Sequence, residues 1–140
     1  MKTFIDTGIF VAFHNMRDAR HGRARELIER AVGGEFGVLY TSDYVFDESV
    51  TTALARTGNP RIAIDVGRMI LGELEGVPPF LVVVEVDRTA FKEAWRMFAA
   101  YAERGLSFTD CTSIAIIKLR GIDSIMSFDS GFDGLVPRIC

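Results

Sequence analysis

Short apolar runs alternate with segments of helical period along the whole chain, and that alternation limits the fold more than any other feature. Residues 2–6 read as a buried strand that stops at Asp6-Thr7-Gly8. Residues 37–41, 80–86 and 124–128 are further strand-like runs, the run from Phe80 to Val86 being rich in β-branched residues. Between them lie helical patterns. Residues 9–13 are apolar and open a first helix, and residues 22–32 place Ala24, Leu27, Ile28, Ala31 and Val32 at helical spacing before Gly33-Gly34. Ser42 is an N-cap for a helix running to about Thr57. Asn59-Pro60 opens another, which should end by Gly76, ahead of Pro78-Pro79. Asp87 caps a helix carrying Phe91, Ala94, Trp95, Phe98 and Tyr101, with Gly105 as its stop. Residues 109–120 form the last helix, and residues 135–139 a fifth strand, placed at an edge because Pro137 has no N–H for a ladder.

Strands that alternate with helices pair in parallel and build a layered α/β domain. The 140 residues fit one such domain, residues 1–140, with no repeat or linker. A mean hydropathy of +0.21 is too high for a disordered chain. The net charge of −3 excludes a generic basic coat for nucleic acid, but not a nuclease with local basic patches. The two cysteines, Cys111 and Cys140, form no C-x-x-C, so neither a disulfide framework nor a zinc site is expected. Two free thiols suit a reducing compartment. No run approaches the ~20 apolar residues of a membrane helix. The sequence therefore predicts a soluble, cytoplasmic protein.

Four acids fall where the apolar pattern breaks: Asp6 after the first strand, Glu48 early in a helix, Asp110 at a helix start, and Asp129 after the fourth strand. In an open α/β sheet such points converge on one edge, where ligands bind. Converging carboxylates repel one another and call for a cation, and oxygen-only donors suit Mg²⁺ or Mn²⁺. Each acid also has a local explanation. Asp6 and Asp129 can shape turns, and Asp110 completes a capping box with Ser107. Asp47 and Glu48 both flank a stripe of Phe46, Val50, Ala53 and Leu54, so the helical wheel does not choose between them. Ser127 points away from Phe128, toward the acids. Arg17, Arg20 and Arg23 make a local basic patch, read either as ion pairs with Asp18 and Glu26 or as phosphate contacts. His14 and His21 lie in or beside that loop and carry no assigned role.

Other chemistries lack their signatures. D-T-G also marks aspartic proteases, but those are all-β and the helical period here is strong. There is no G-x-G-x-x-G, no P-loop and no G-x-S-x-G elbow. A phosphoacceptor receiver would need adjacent acids after an early strand and a late Lys; Asp6 is followed by Thr7, and Asp129 by Ser130.

The order and spacing of Phe4-Ile5-Asp6-Thr7, Tyr44-Val45-Phe46-Asp47-Glu48, Ser107-Phe108-Thr109-Asp110-Cys111 and Ser127-Phe128-Asp129 resemble the PIN-domain family, especially compact VapC-like ribonuclease toxins. The resemblance covers essentially the whole chain. It implies a three-layer α/β/α sandwich with a central parallel sheet, and a metal-dependent endoribonuclease leaving 5′-phosphate and 3′-hydroxyl ends. It makes Asp6, Glu48, Asp110 and Asp129 the catalytic, metal-binding acids, choosing Glu48 over Asp47, with Ser127 and Thr7 as supporting polar residues. It further implies Mg²⁺ or Mn²⁺, an RNA substrate, an antitoxin partner and a homodimer. The alternatives are an RNA-processing nuclease without a toxin role and a non-catalytic binding scaffold. The long helical stretch between Gly58 and Pro79 departs modestly from the family pattern.

Overall fold

The computed structural model describes residues 1–140. Its elements follow in the order β1 (Lys2–Ile5), α1 (Thr7–His14), α2 (His21–Val32), β2 (Val38–Ser42), α3 (Asp43–Thr57), α4 (Pro60–Leu71), β3 (Leu81–Val84), α5 (Arg88–Ala100), α6 (Phe108–Arg120), β4 (Ser124–Met126) and β5 (Arg138–Ile139). Short 3₁₀ turns occupy Ala102–Arg104 and Ser130–Phe132. The five strands form one parallel sheet in the order β3-β2-β1-β4-β5. The chain moves outward from β1 through β2 to β3, then returns to the other side of β1 for β4. Right-handed crossovers place helices of the outward path on one face and those of the return path on the other. The result is the expected three-layer α/β/α sandwich. Its switch of direction lies between β1 and β4, where such sheets leave a crevice at the carboxyl ends of the strands.

The centre of the sheet is apolar on both faces. Phe4, Ile5, Ile125 and Met126 are fully buried, as parallel strands covered by helices must be. Residues Ile9 to Ala12 of α1 are buried throughout, so that helix is held by packing rather than by an amphipathic stripe. Buried hydroxyls stitch the strands: Thr3 Oγ1 donates to the Phe36 carbonyl at 2.9 Å, and Thr41 Oγ1 to that of Ile5 at 2.9 Å.

Several boundaries differ from the sequence expectation for local reasons. Helix α1 begins at Thr7, two residues early, with Asp6 as its N-cap and Gly8 inside it. Helix α4 stops at Leu71, because Gly72 adopts φ +73° and the Glu73 N–H reaches back to the Arg68 carbonyl. Strand β3 spans only Leu81–Val84 and sits at an edge, with Val82 and Val83 exposed. Helix α5 ends at Ala100, and Gly105 instead closes the following 3₁₀ turn. On α3 the buried stripe is Val45, Ser49 and Ala53. Phe46 and Val50 are half-buried and Leu54 is exposed, all three lining a groove against α4. Of the expected stripe, Ala53 is buried and Phe46 and Val50 pack against the core, while Leu54 is exposed and Val45 and Ser49 complete the inner face.

One glycine is structurally required. Gly37 has φ +70°, and a Cβ there would lie 2.0 Å from the Met1 carbonyl oxygen, which accepts the Val38 N–H at 3.0 Å. Gly37→Ala is expected to destabilise the fold by about 2 kcal/mol or more, from left-handed strain plus displacement of β1; urea unfolding measures it.

Candidate active site

Asp6 sits directly beyond β1, in the central crevice, and is held by the β-ladder itself. Its N–H donates to the Met126 carbonyl at 3.0 Å. Its side chain is only 5% exposed. Ser127 Oγ, fully buried beyond β4, donates to Asp6 Oδ2 at 2.7 Å and accepts the Asp129 N–H at 3.0 Å. One hydroxyl thus fixes both the first carboxylate and the backbone that carries the last. Asp6 Oδ1 is buried with no hydrogen-bond partner, and so is the neighbouring Thr7 Oγ1.

Asp110 enters from the opposite side at the start of α6. The capping box is real: Ser107 Oγ accepts the Asp110 N–H at 3.0 Å, and Asp110 Oδ2 accepts the Ser107 N–H at 2.9 Å. That box occupies one carboxylate oxygen and keeps the residue nearly buried, at 9% exposure. Asp129 Oδ1 accepts the Gly131 N–H at 2.8 Å and shapes the turn after β4. Glu48 lies half-buried on α3, whereas Asp47 is exposed. Of the two acids between which the helical wheel did not choose, Glu48 lines the cavity and Asp47 does not.

Asp6, Glu48, Asp110 and Asp129 line one cavity of about 530 Å³, together with Thr7. Their fields overlap. The Asp6 carboxyl is pushed up to about 7, chiefly by burial and secondarily by the charges of Asp110 and Glu48, against the Ser127 and Thr7 hydrogen bonds that lower it. Burial likewise raises Asp110, with Glu48 and Asp129 adding to the shift. The carboxylates share a cavity without closing into a cluster of three ready-made metal donors. Such a cluster is not what Mg²⁺ requires, since that ion is commonly held by one or two carboxylates together with water and substrate phosphate. An orphaned, desolvated aspartate oxygen among like charges is a donor set that fits a hard divalent cation.

The basic patch divides. Arg20 lines the cavity, donates to the Phe128 carbonyl at 3.0 Å and lies 4.9 Å over the Phe128 ring. Arg17 and Arg23 lie outside it; Arg23 binds the Cys140 carbonyl at 2.7 Å and Glu26 at 2.6 Å. Sequence reasoning missed Arg56, which lines the cavity with Glu48 and Thr52. Those three residues recur every fourth position on α3, a spacing that places them on one helix face. That register was the available signal. Asp18 was considered only as an ion-pair partner; it also lines the cavity and accepts the Arg20 N–H at 2.8 Å.

A three-layer parallel sandwich with acids gathered at its switch point defines a class of small α/β/α domains with a carboxylate-lined cavity. The PIN domain model matches residues 3–135, and the chain belongs to the PIN-domain family. It is 31% identical over 129 residues to the 23S rRNA-specific endonuclease VapC20 of Mycobacterium tuberculosis, covering 92% of this chain and 90% of that one. The crystal structure of VapC20, described as a sarcin-ricin loop cleaving toxin, superimposes with a TM-score of 0.79 over 93% of this chain and 92% of the other. A VapC ribonuclease of Archaeoglobus fulgidus is 28% identical over 137 residues, covering 94% of this chain and 80% of the relative. A toxin-antitoxin complex from Klebsiella pneumoniae shares the fold alone, at 13% identity and a TM-score of 0.63, with 99% of this chain and 96% of that one covered.

The raised Asp6 carboxyl has a consequence for stability. The folded state holds this proton up to about pH 7, whereas an unfolded aspartate releases it near its ordinary value of 3.8. The stability associated with the protonated form is therefore present below about pH 4 and lost as pH rises through 7. Asp6→Asn keeps an acceptor for Ser127 and removes the charge. It should match wild type near pH 4 and melt several degrees higher at pH 8 in chelator. Added Mg²⁺ or Mn²⁺ should narrow that gap by stabilising wild type selectively; calorimetry across pH reads both effects.

Proposed function

We propose that this chain is a divalent-cation-dependent endoribonuclease, and that residues 1–140 work as one PIN domain serving as the toxin of a toxin-antitoxin pair. The observation that carries the reading is the gathering of four acids, from four separate segments, around one cavity in a chain 31% identical to an rRNA endonuclease. Asp6 and Asp110 are the residues assigned to hold the ion directly, with Glu48 and Asp129 acting directly or through water. Mg²⁺ or Mn²⁺, when bound, supplies a Lewis acid that lowers the pKa of water and offsets charge on the phosphoryl group.

The chain's own residues do the rest. Ser127 holds Asp6 in one orientation and ties it to the Asp129 backbone. Thr7 contributes a hydroxyl beside Asp6. Arg20 and Arg56 offer guanidinium groups to the phosphates on either side of the broken bond. The charges of neighbouring acids help raise both Asp6 and Asp110, so no single acid is assigned as the base.

An antitoxin partner is part of the reading, supported by relatives that bear VapC names and by a fold shared with a toxin-antitoxin complex. A homodimer belongs to it as well, with sedimentation equilibrium as its check. No helix is long and apolar enough to cross a membrane, and the reading places the protein in the cytoplasm with its RNA.

Incubating RNA with the protein in Mg²⁺, Mn²⁺ or chelator tests the activity, with sequencing of the cut ends. Cleavage should require the metal, leave 5′-phosphates, and fall at least 100-fold in Asp6→Asn and Asp110→Asn. Ser127→Ala, which removes only the support of Asp6, should lose about 10–100-fold. Undiminished cleavage in chelator would falsify the mechanism.

A further inference from the structure

Helix α3 presents a graded wall to the cavity. Glu48, Thr52 and Arg56 line it from successive turns, since residues four apart share a helix face. Eight residues at about 1.5 Å each make this wall about 12 Å long, so the cavity is a trough that runs on past Glu48. Its chemistry changes along that length: a carboxylate at the metal end, then a neutral hydroxyl, then a guanidinium at the far end. The two guanidinium groups on the lining differ in their commitments. Arg20 is fixed by the Phe128 carbonyl and ring. Arg56 is exposed and makes no ion pair, although five carboxylates line the same cavity and six other arginines of the chain each pair with an acid. A cation in the last turn of α3 also complements the helix dipole there. That role asks only for charge near the turn and does not account for the register with Glu48 and Thr52.

We propose that Arg56 anchors a backbone phosphate remote from the cut, and that the α3 wall thereby fixes how far the substrate strand must extend on one side of the broken bond. The inference deepens the nuclease reading and rests on it. A stacked strand carries one phosphate per about 3.4 Å of its axis and an extended strand spaces them more widely, so Arg56 meets a phosphate about two to four nucleotides from the one at the acids. The phosphate at the acids is served by the metal, whereas those beyond it have no metal and need donors. Thr52 offers a hydroxyl to the intervening stretch, and the Arg56 fork matches two phosphate oxygens at the end of the wall. Arg56 acts on the strand and not on the reacting atoms, which makes it a positioning residue.

Salt dependence counts phosphate contacts directly. The full-length protein, held in chelator to prevent cleavage, is titrated with a fluorescein-labelled oligouridylate of about 12 nucleotides between about 20 and 200 mM salt. Arg56→Gln should weaken binding about tenfold at the low-salt end and make the slope of log affinity against log salt shallower by about 0.7, the share of one phosphate on a single strand. Arg56→Lys keeps the charge and the dipole contact and should keep the wild-type slope. Arg23→Gln removes the same charge outside the cavity and should leave the slope as it is. In Mg²⁺, with a substrate synthesised around a mapped cut, Arg56→Gln should raise KM about tenfold and change kcat less than about twofold. Trimming that substrate on one side to a single nucleotide beyond the cut should erase the difference between wild type and Arg56→Gln. An unchanged slope in Arg56→Gln, an equal change in Arg23→Gln, or a fall in kcat at constant KM overturns the inference. The two readings fail separately. A slope that depends on Arg56 without metal-dependent cleavage keeps the phosphate anchor and removes the nuclease, and metal-dependent cleavage with an unchanged slope does the reverse.

Discussion

Burial of the Asp6 carboxyl group at the end of the central strand is the constraint on which the remainder of the site depends. A carboxylate there loses most of its hydration, and its field is opposed by Glu48 and Asp110. Apolar packing alone would favour a neutral residue at that point. The fold tolerates the acid because Ser127 donates to one oxygen and the β-ladder fixes its backbone. The second oxygen is left with nothing. An unpaired buried polar atom is costly, and its persistence beside like charges is the observation on which the proposed metal role of Asp6 rests.

Topology explains why the other acids come to the same place. Strands β1 and β4 are neighbours although more than a hundred residues separate them, and the chain reverses its direction of travel between them. The residues that follow each strand, Asp6 and Ser127 to Asp129, therefore open into one crevice. Helices α3 and α6 bring their N-terminal turns to the same end of the sheet. The helix starts are electropositive, and Asp110 satisfies a backbone donor there while contributing charge to the cavity. Structural and functional explanations of Asp110 thus coincide in one geometry, each using a different part of the carboxyl group.

The cations around the cavity show how a chain of net charge −3 keeps a local basic rim beside its acids. Arg20 is steered by the Phe128 carbonyl and ring, and Arg56 by the helical register it shares with Glu48. Arg23 and Arg30 are instead consumed by surface carboxylates. A basic patch in sequence is therefore only partly a basic patch in space, since Glu26 on α2 pairs with Arg23.

The sequence by itself determined the alternation of strands and helices, the parallel layered class, the caps at Ser42, Asn59, Asp87 and Ser107, and the edge position of the last strand. These follow from local rules: period, cap chemistry and the missing N–H of Pro137. It also marked Asp6, Asp110 and Asp129 as acids at element boundaries. Helical period did not choose between Asp47 and Glu48; the family resemblance favoured Glu48, and the tertiary structure places Glu48 on the cavity wall, because a rotation of one residue about α3 depends on which neighbours that helix meets. The same holds for Arg56, whose alignment with Glu48 gains meaning only once that face borders the cavity. The early end of α4 rested on the left-handed turn at Gly72, one of several glycines in that stretch. Local propensity writes elements into a chain; which side of each element faces its neighbours is fixed by long-range packing, and chemistry at a site resides in those facings.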